Sequence, residues 1–127
     1  MKVDPEMTQA RKVLSEMVME ADDWVEAEIL ARAASKLGGL TEEVASRVCS
    51  FGPRLALRHC AKDLSPDDLL RAIKEEPLEA LQEASDLIPD VLLLELAQRF
   101  PKEALRCVPL ARFDRETLER LVKAAFQ

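Results

Sequence analysis

The chain has 127 residues, 48% of them apolar, with 18 Lys and Arg against 24 Asp and Glu, for a formal net charge of −6. That length holds a single hydrophobic core, and an apolar fraction near one half excludes the composition of a disordered chain. The acidic balance weighs against a general nucleic-acid binder, whose affinity comes largely from neutralising phosphates.

The longest apolar run is Val91-Leu-Leu-Leu94, far short of the roughly eighteen residues that span a bilayer. The opening Met1-Lys-Val-Asp-Pro-Glu-Met carries no apolar signal-peptide core. Three cysteines with no Cys-x-x-Cys spacing fit a reducing compartment and argue against a disulfide framework. The expected location is therefore cytoplasmic, without a membrane. Tyrosine is absent and Ala, Leu, Glu, Arg and Lys dominate; these are good helix formers, so the expected class is all-α.

From Pro5 to Glu20, Met7, Ala10, Val13, Leu14, Met17 and Val18 recur at spacings of three and four, as one apolar helix face requires. Asp23 is placed to cap a second helix, with Glu26 completing a capping box. Trp24, Ala27, Ile29, Leu30, Ala33, Ala34 and Leu37 carry that helix on to Gly38-Gly39, where glycine's access to left-handed backbone makes a stop. Residues 1–39 therefore read as a helical hairpin that caps the remainder of the chain. Core packing is the expectation for Trp24 and Met17. A Met/Trp surface using Met7, Met17, Met19 and Trp24, for an apolar partner or for self-association, is the alternative.

From Leu40 to Arg112 one pattern comes round three times at a spacing of 24 residues. An apolar residue opens each copy at Leu40, Leu64 and Ile88. A proline follows at Pro53, Pro77 and Pro101, and an Ala-Leu pair at Ala56-Leu57, Ala80-Leu81 and Ala104-Leu105. Proline ends the preceding helix and suits the first position of the next, so each copy predicts a helix of about ten residues and then a shorter one. Thr41, Ser65 and Asp114 are the expected caps. Core slots recur with the pattern: Ala45, Leu69, Leu93 and Leu118; Val48, Ala72, Leu96 and Leu121; Cys49, Ile73, Ala97 and Val122; Leu57, Leu81 and Leu105. One unit cannot bury its face alone, so the copies must stack. Residues 113–127 begin a fourth copy and read as a C-terminal capping helix. The fold class predicted for residues 1–127, one domain, is a short right-handed α-solenoid of stacked helix-Pro-helix repeats, about nine helices in all.

The stretches Leu64-Ser-Pro-Asp-Asp-Leu-Leu-Arg-Ala-Ile-Lys-Glu-Glu-Pro77 and Ile88-Pro-Asp-Val-Leu-Leu-Leu-Glu-Leu-Ala97 resemble the leucine-rich repeat variant and, more loosely, HEAT-type repeats. The resemblance covers about residues 40–126. It implies a superhelix of paired helices, one α and one short and often 3-10, and it carries no catalytic residue. No cysteine precedes Cys49, so the N-terminal cysteine cluster that binds iron and sulfur in one such protein has no counterpart here. No cofactor follows from the likeness.

Charge is unevenly spread. Residues 64–98 hold two cations and nine acids, residues 99–127 seven cations and four acids, and residues 1–39 five cations and eight acids. Arg47, Arg71 and Arg120 occupy equivalent places in the long helices, and Arg54 and Arg58 recur as Lys102 and Arg106 in the short ones. In a stacked array equivalent positions line up as stripes, which is how such proteins make extended binding faces. These seven cations are the candidate partner-binding residues, for a protein with an acidic segment. The competing account is that they are solvated charges with partners such as Glu43–Arg47 and Asp67–Arg71.

No catalytic, cofactor or metal residue is assigned. His59 is the only histidine and sits beside Cys60, but neighbours on a helix diverge by about 100°, and a nucleophile pair must meet. Asp67/Asp68, Glu75/Glu76, Glu79/Glu83 and Asp86/Asp90 read as caps and solvated faces. The function expected is a non-enzymatic protein-interaction, scaffold or adaptor module. The alternatives are a nucleoprotein subunit using Arg99, Lys102, Arg106, Arg112, Arg115, Arg120 and Lys123, and a metal- or thiol-dependent enzyme around His59 with Cys49 or Cys60.

Overall fold

A computed structural model of the chain describes the backbone of residues 5–126 and the side chains of residues 9–126. Among the described residues every regular element is helical: α1 (Pro5–Glu20), α2 (Trp24–Lys36), α3 (Glu42–Phe51), α4 (Pro53–His59), α5 (Pro66–Glu75), α6 (Pro77–Glu83), α7 (Asp90–Arg99), α8 (Pro101–Cys107) and α9 (Arg115–Ala125). None is long and apolar enough to cross a membrane.

Local chemistry sets the boundaries. Asp23, Thr41, Ser65 and Asp114 each accept, through the side chain, the backbone N–H three residues on, satisfying a donor that has no partner within the helix. Pro53, Pro77 and Pro101 stand first in α4, α6 and α8, where a missing N–H costs nothing. Gly38 and Gly39 take φ of +117° and +105° after α2. Gly39 also lies under the Asp63 carboxylate, whose oxygens would stand 3.2 Å from any Cβ there, and that carboxylate accepts the Leu40 N–H at 3.1 Å.

The short proline-led helices are α-helical, closed by Cys60 N–H on Ala56 O at 2.9 Å and Ala84 N–H on Ala80 O at 2.9 Å. A separate 3-10 turn follows each, at Ala61–Asp63, Ser85–Leu87 and Leu110–Arg112. The likeness to known repeats implied one short helix, often 3-10; here the α-helix and the 3-10 turn are two successive elements.

The core runs the length of the molecule. Ala56, Ala80 and Ala104 are fully buried, as are Val48, Ala72, Leu96 and Leu121, with Leu57 and Leu81 beside them. The proline-led helices pack in series, α4 on α6 and α6 on α8, and the α1–α2 hairpin packs on α3 and α4.

Six residues expected in the core are corrected at the edges. Trp24 is 56% exposed and Met17 44%: the buried face of α2 is taken by Ala27, Leu30, Ala31 and Ala34, and Trp24, its first residue, stands at the rim of a groove. Ile29 and Val13 are likewise exposed. Val122 is 46% exposed while Cys49, Ile73 and Ala97 in the same slot are buried. Leu105 is half-buried, unlike Leu57 and Leu81. The side chain of Met7 lies outside the described residues.

Candidate partner-binding site

The proposed basic stripes are drawn into the fold to different degrees. Arg47 turns inward: its Nη2 donates to Ala21 O at 2.9 Å, at the C-terminal end of α1 where carbonyls lack helical partners, and its guanidinium lies 4.7 Å from the centre of the Phe51 ring. Glu43 is not its partner. Arg71 donates to Asp68, three residues before it, instead of Asp67. Arg120 pairs with Glu116 and Arg115 with Glu119 on the α9 surface. Arg112 is a structural tie, donating to Ser85 O at 2.7 Å, Ile88 O at 2.8 Å and Asp90 Oδ1 at 2.9 Å.

Arg54 and Arg58 converge on one acid. Glu79 is only 6% exposed, and its Oε1 accepts from Arg58 Nη2 at 2.9 Å and Nε at 3.2 Å. Its other oxygen lies 3.9 Å from Arg54 Nη2, with Glu76 4.0 Å from Arg54 Nε. The hydrogen bond and the charge of Glu79 hold the Arg58 guanidinium even more firmly protonated than usual. The reading of Glu79 as a solvated acid is thus corrected. It directly precedes Ala80, a core residue, so it sits on the flank of α6 that faces α4. That signal was present in the Ala-Leu register and points to an interhelical role.

Around these charges opens a groove of about 390 Å³ between the starts of α2 and α4. Trp24, Phe51 and Leu55 form its apolar part, and Glu28, Arg54 and Glu76 its charged part. The Arg54 side chain is 64% exposed and so retains capacity for an outside carboxylate. Glu28 lies 3.9 Å from Arg58 and 3.7 Å from His59 Nε2.

Lys102 and Arg106 differ from their counterparts. They flank a second groove of about 320 Å³, with Leu105, Ala125 and Phe126, and no carboxylate among the described residues pairs with them.

Cys49 and Cys60 are buried, whereas Cys107 is partly exposed. Burial pushes the Cys60 thiol up to about 12, with Asp63 adding to the effect, and burial raises Cys49 as well; the reactive thiolate is disfavoured at both. No group of three or more His, Cys, Asp or Glu among the described residues is arranged to hold a metal ion. Comparison with protein-family models, with curated proteins and with solved structures finds no match to this chain.

Proposed function

We propose that the chain is a protein-interaction module, a scaffold or adaptor rather than an enzyme, built as a short α-solenoid. The stacked reading rests on the order of elements, with long helices starting at Glu42, Pro66 and Asp90 and short ones at Pro53, Pro77 and Pro101. It rests also on side-chain ties that bridge about one unit: Arg47 to Ala21, Asp63 to Leu40, Arg58 to Glu79 and Arg112 to Ile88. Such ties fix neighbouring units in register and make the surface rigid before any partner arrives, which reduces the ordering cost of binding.

The observation that carries the interaction reading is Trp24, a large aromatic left more than half exposed at the edge of a groove. Trp and Arg are the side chains that most often dominate binding energy at protein interfaces. The groove suits a protein segment that lays an apolar side chain against Trp24 and Phe51 and offers a carboxylate to Arg54. This narrows the partner with an acidic segment to one place on the surface.

The test is affinity capture with the full chain as bait, comparing wild type with Trp24→Ala and Arg54→Glu. A partner held by wild type and lost on both variants supports the groove. A partner held equally by all three places docking elsewhere and overturns it.

A further inference from the structure

Among the described residues, α8 and α9 leave apolar surface open. Leu57 on α4 and Leu81 on α6 are buried, and α4 packs on α6 and α6 on α8. Leu105, the same residue of α8, is only partly buried against the core and lines an open groove with Phe126, which is 83% exposed. Val122 on α9 is bare on the same side, where its counterparts are buried.

The chain itself displays what fits such a place. Where α6 lies on α4, the third residue of α6, Glu79, stands just before the buried Ala80 and enters between Arg54 and Arg58. Lys102 and Arg106 repeat the positions of Arg54 and Arg58 in α8, each second and sixth from the proline. They await an equivalent acid.

Outside the proline-led series, α2 has that acid in that position. The third residue of α2 is Glu26, and it stands just before the fully buried Ala27. At about 100° per residue Glu26 therefore occupies on α2 the flank that Glu79 occupies on α6. The opposite flank of α2 carries Glu28 and meets α4 through Arg58 and His59, so the exposed Glu26 lies on the flank turned away from α4. On α1, Arg11, Lys12, Ser15 and Glu16 line a groove with Thr41 at the start of α3, which places Val13 and Met17 on the opposite flank, and both are exposed.

The geometry points to head-to-tail self-association: the α1–α2 hairpin of a second copy fills the open place at α8–α9. Glu26 of one copy enters between Lys102 and Arg106 of the next, as Glu79 does between Arg54 and Arg58, while Met17 and Val13 cover Val122. Net charge agrees, at −3 for residues 1–39 and +3 for residues 99–127; unlike ends steer toward each other and like ends are kept apart. A contact of this kind uses two different faces, so it builds a ring where the rotation between copies closes and an open chain where it does not. The inference rests on the stacked reading proposed above.

The test uses the full chain in sedimentation velocity over a concentration series up to about 1 mM, the weak end of specific association. Wild type is expected to gain mass with concentration and to lose it with added salt, since the pairing charges sit at a screened surface. Glu26→Arg and Arg106→Glu, both at exposed side chains, should each weaken association about tenfold or more, because like charges then meet. Lys102→Glu is an independent third probe. Mixing Glu26→Arg with Arg106→Glu should recover association above that of either variant alone, since Glu26 of one variant meets the intact Lys102 and Arg106 of the other; the reciprocal junction sets the introduced groups beside Lys102 and stays weaker than in wild type. A wild-type chain that stays monomeric, variants that associate as wild type does, or a mixture without recovery would each overturn the proposal. A monomer that still loses more stability from Leu81→Ala than from Leu105→Ala removes the association and leaves the stack standing.

Discussion

Leu81 and Leu105 occupy the same place in successive proline-led helices, and their surroundings predict different costs for the same truncation. Leu81 has no exposed surface. Leu81→Ala removes three buried carbons at about 0.8 kcal/mol each. The void adds up to about 2 kcal/mol more, depending on how far the neighbours collapse, giving about 2.5–4.5 kcal/mol. Leu105 is half-buried and borders the α8–α9 groove. Solvent reaches the space vacated there, so about half the transfer cost applies and the cavity contribution drops out, leaving about 1–1.5 kcal/mol. Urea unfolding of dilute samples, followed by far-UV circular dichroism, measures both through the midpoint, provided the slope stays that of wild type. Leu57→Ala, at 1% exposure, should fall with Leu81→Ala. Equal losses at Leu81 and Leu105 would refute the reasoning, because they would mean that α8 is covered as completely as α6.

Four further outcomes rest on single contacts. Glu79→Gln should lower the unfolding midpoint more than Glu95→Gln at an exposed site of α7, because only Glu79 is buried between two guanidinium groups; added salt should narrow the difference. Gly39→Ala should cost about 1–2 kcal/mol for the left-handed backbone and more for the approach to Asp63, whereas Gly38→Ala meets only the flexible end of Arg11 at 3.6 Å and should cost less; thermal melts compare the two. Asp114 is held below the usual carboxylate range by its hydrogen bonds with Thr117, so its contribution is complete above the ordinary Asp value near about 3.9 and is lost as pH falls through its lowered folded value. Any stability advantage of wild type over Asp114→Asn at neutral pH should vanish in that acid window, as read by equilibrium unfolding. Native thiol labelling at mildly alkaline pH should modify Cys107, which is partly exposed, ahead of Cys49 and Cys60, which are buried; prompt labelling of Cys60 would contradict its raised thiol.

What the order of residues determined by itself is local. Asp23, Thr41, Ser65 and Asp114 cap helices because a short oxygen-bearing side chain reaches the N–H three residues on whatever lies beyond. Prolines start α4, α6 and α8 because the ring forbids continuing the previous helix. The buried series Val48, Ala72, Leu96 and Leu121 was legible for the same reason: periodicity marks the inner face wherever neighbours exist on both sides.

What only the tertiary structure decided is everything that depends on who the neighbour is. Trp24 and Met17 fit the apolar pattern of their helices, yet both are exposed, and the buried face of α2 is filled by Ala27, Leu30, Ala31 and Ala34. Arg47, Arg58 and Arg112 look like surface cations in a linear reading, and each is bound to a group 21 to 26 residues away in the chain. Glu79 and Glu26 share a helical position, and one is buried while the other is exposed, because a side chain's partner is supplied by the next element in space. That is a property of packing, which periodicity within one helix does not encode.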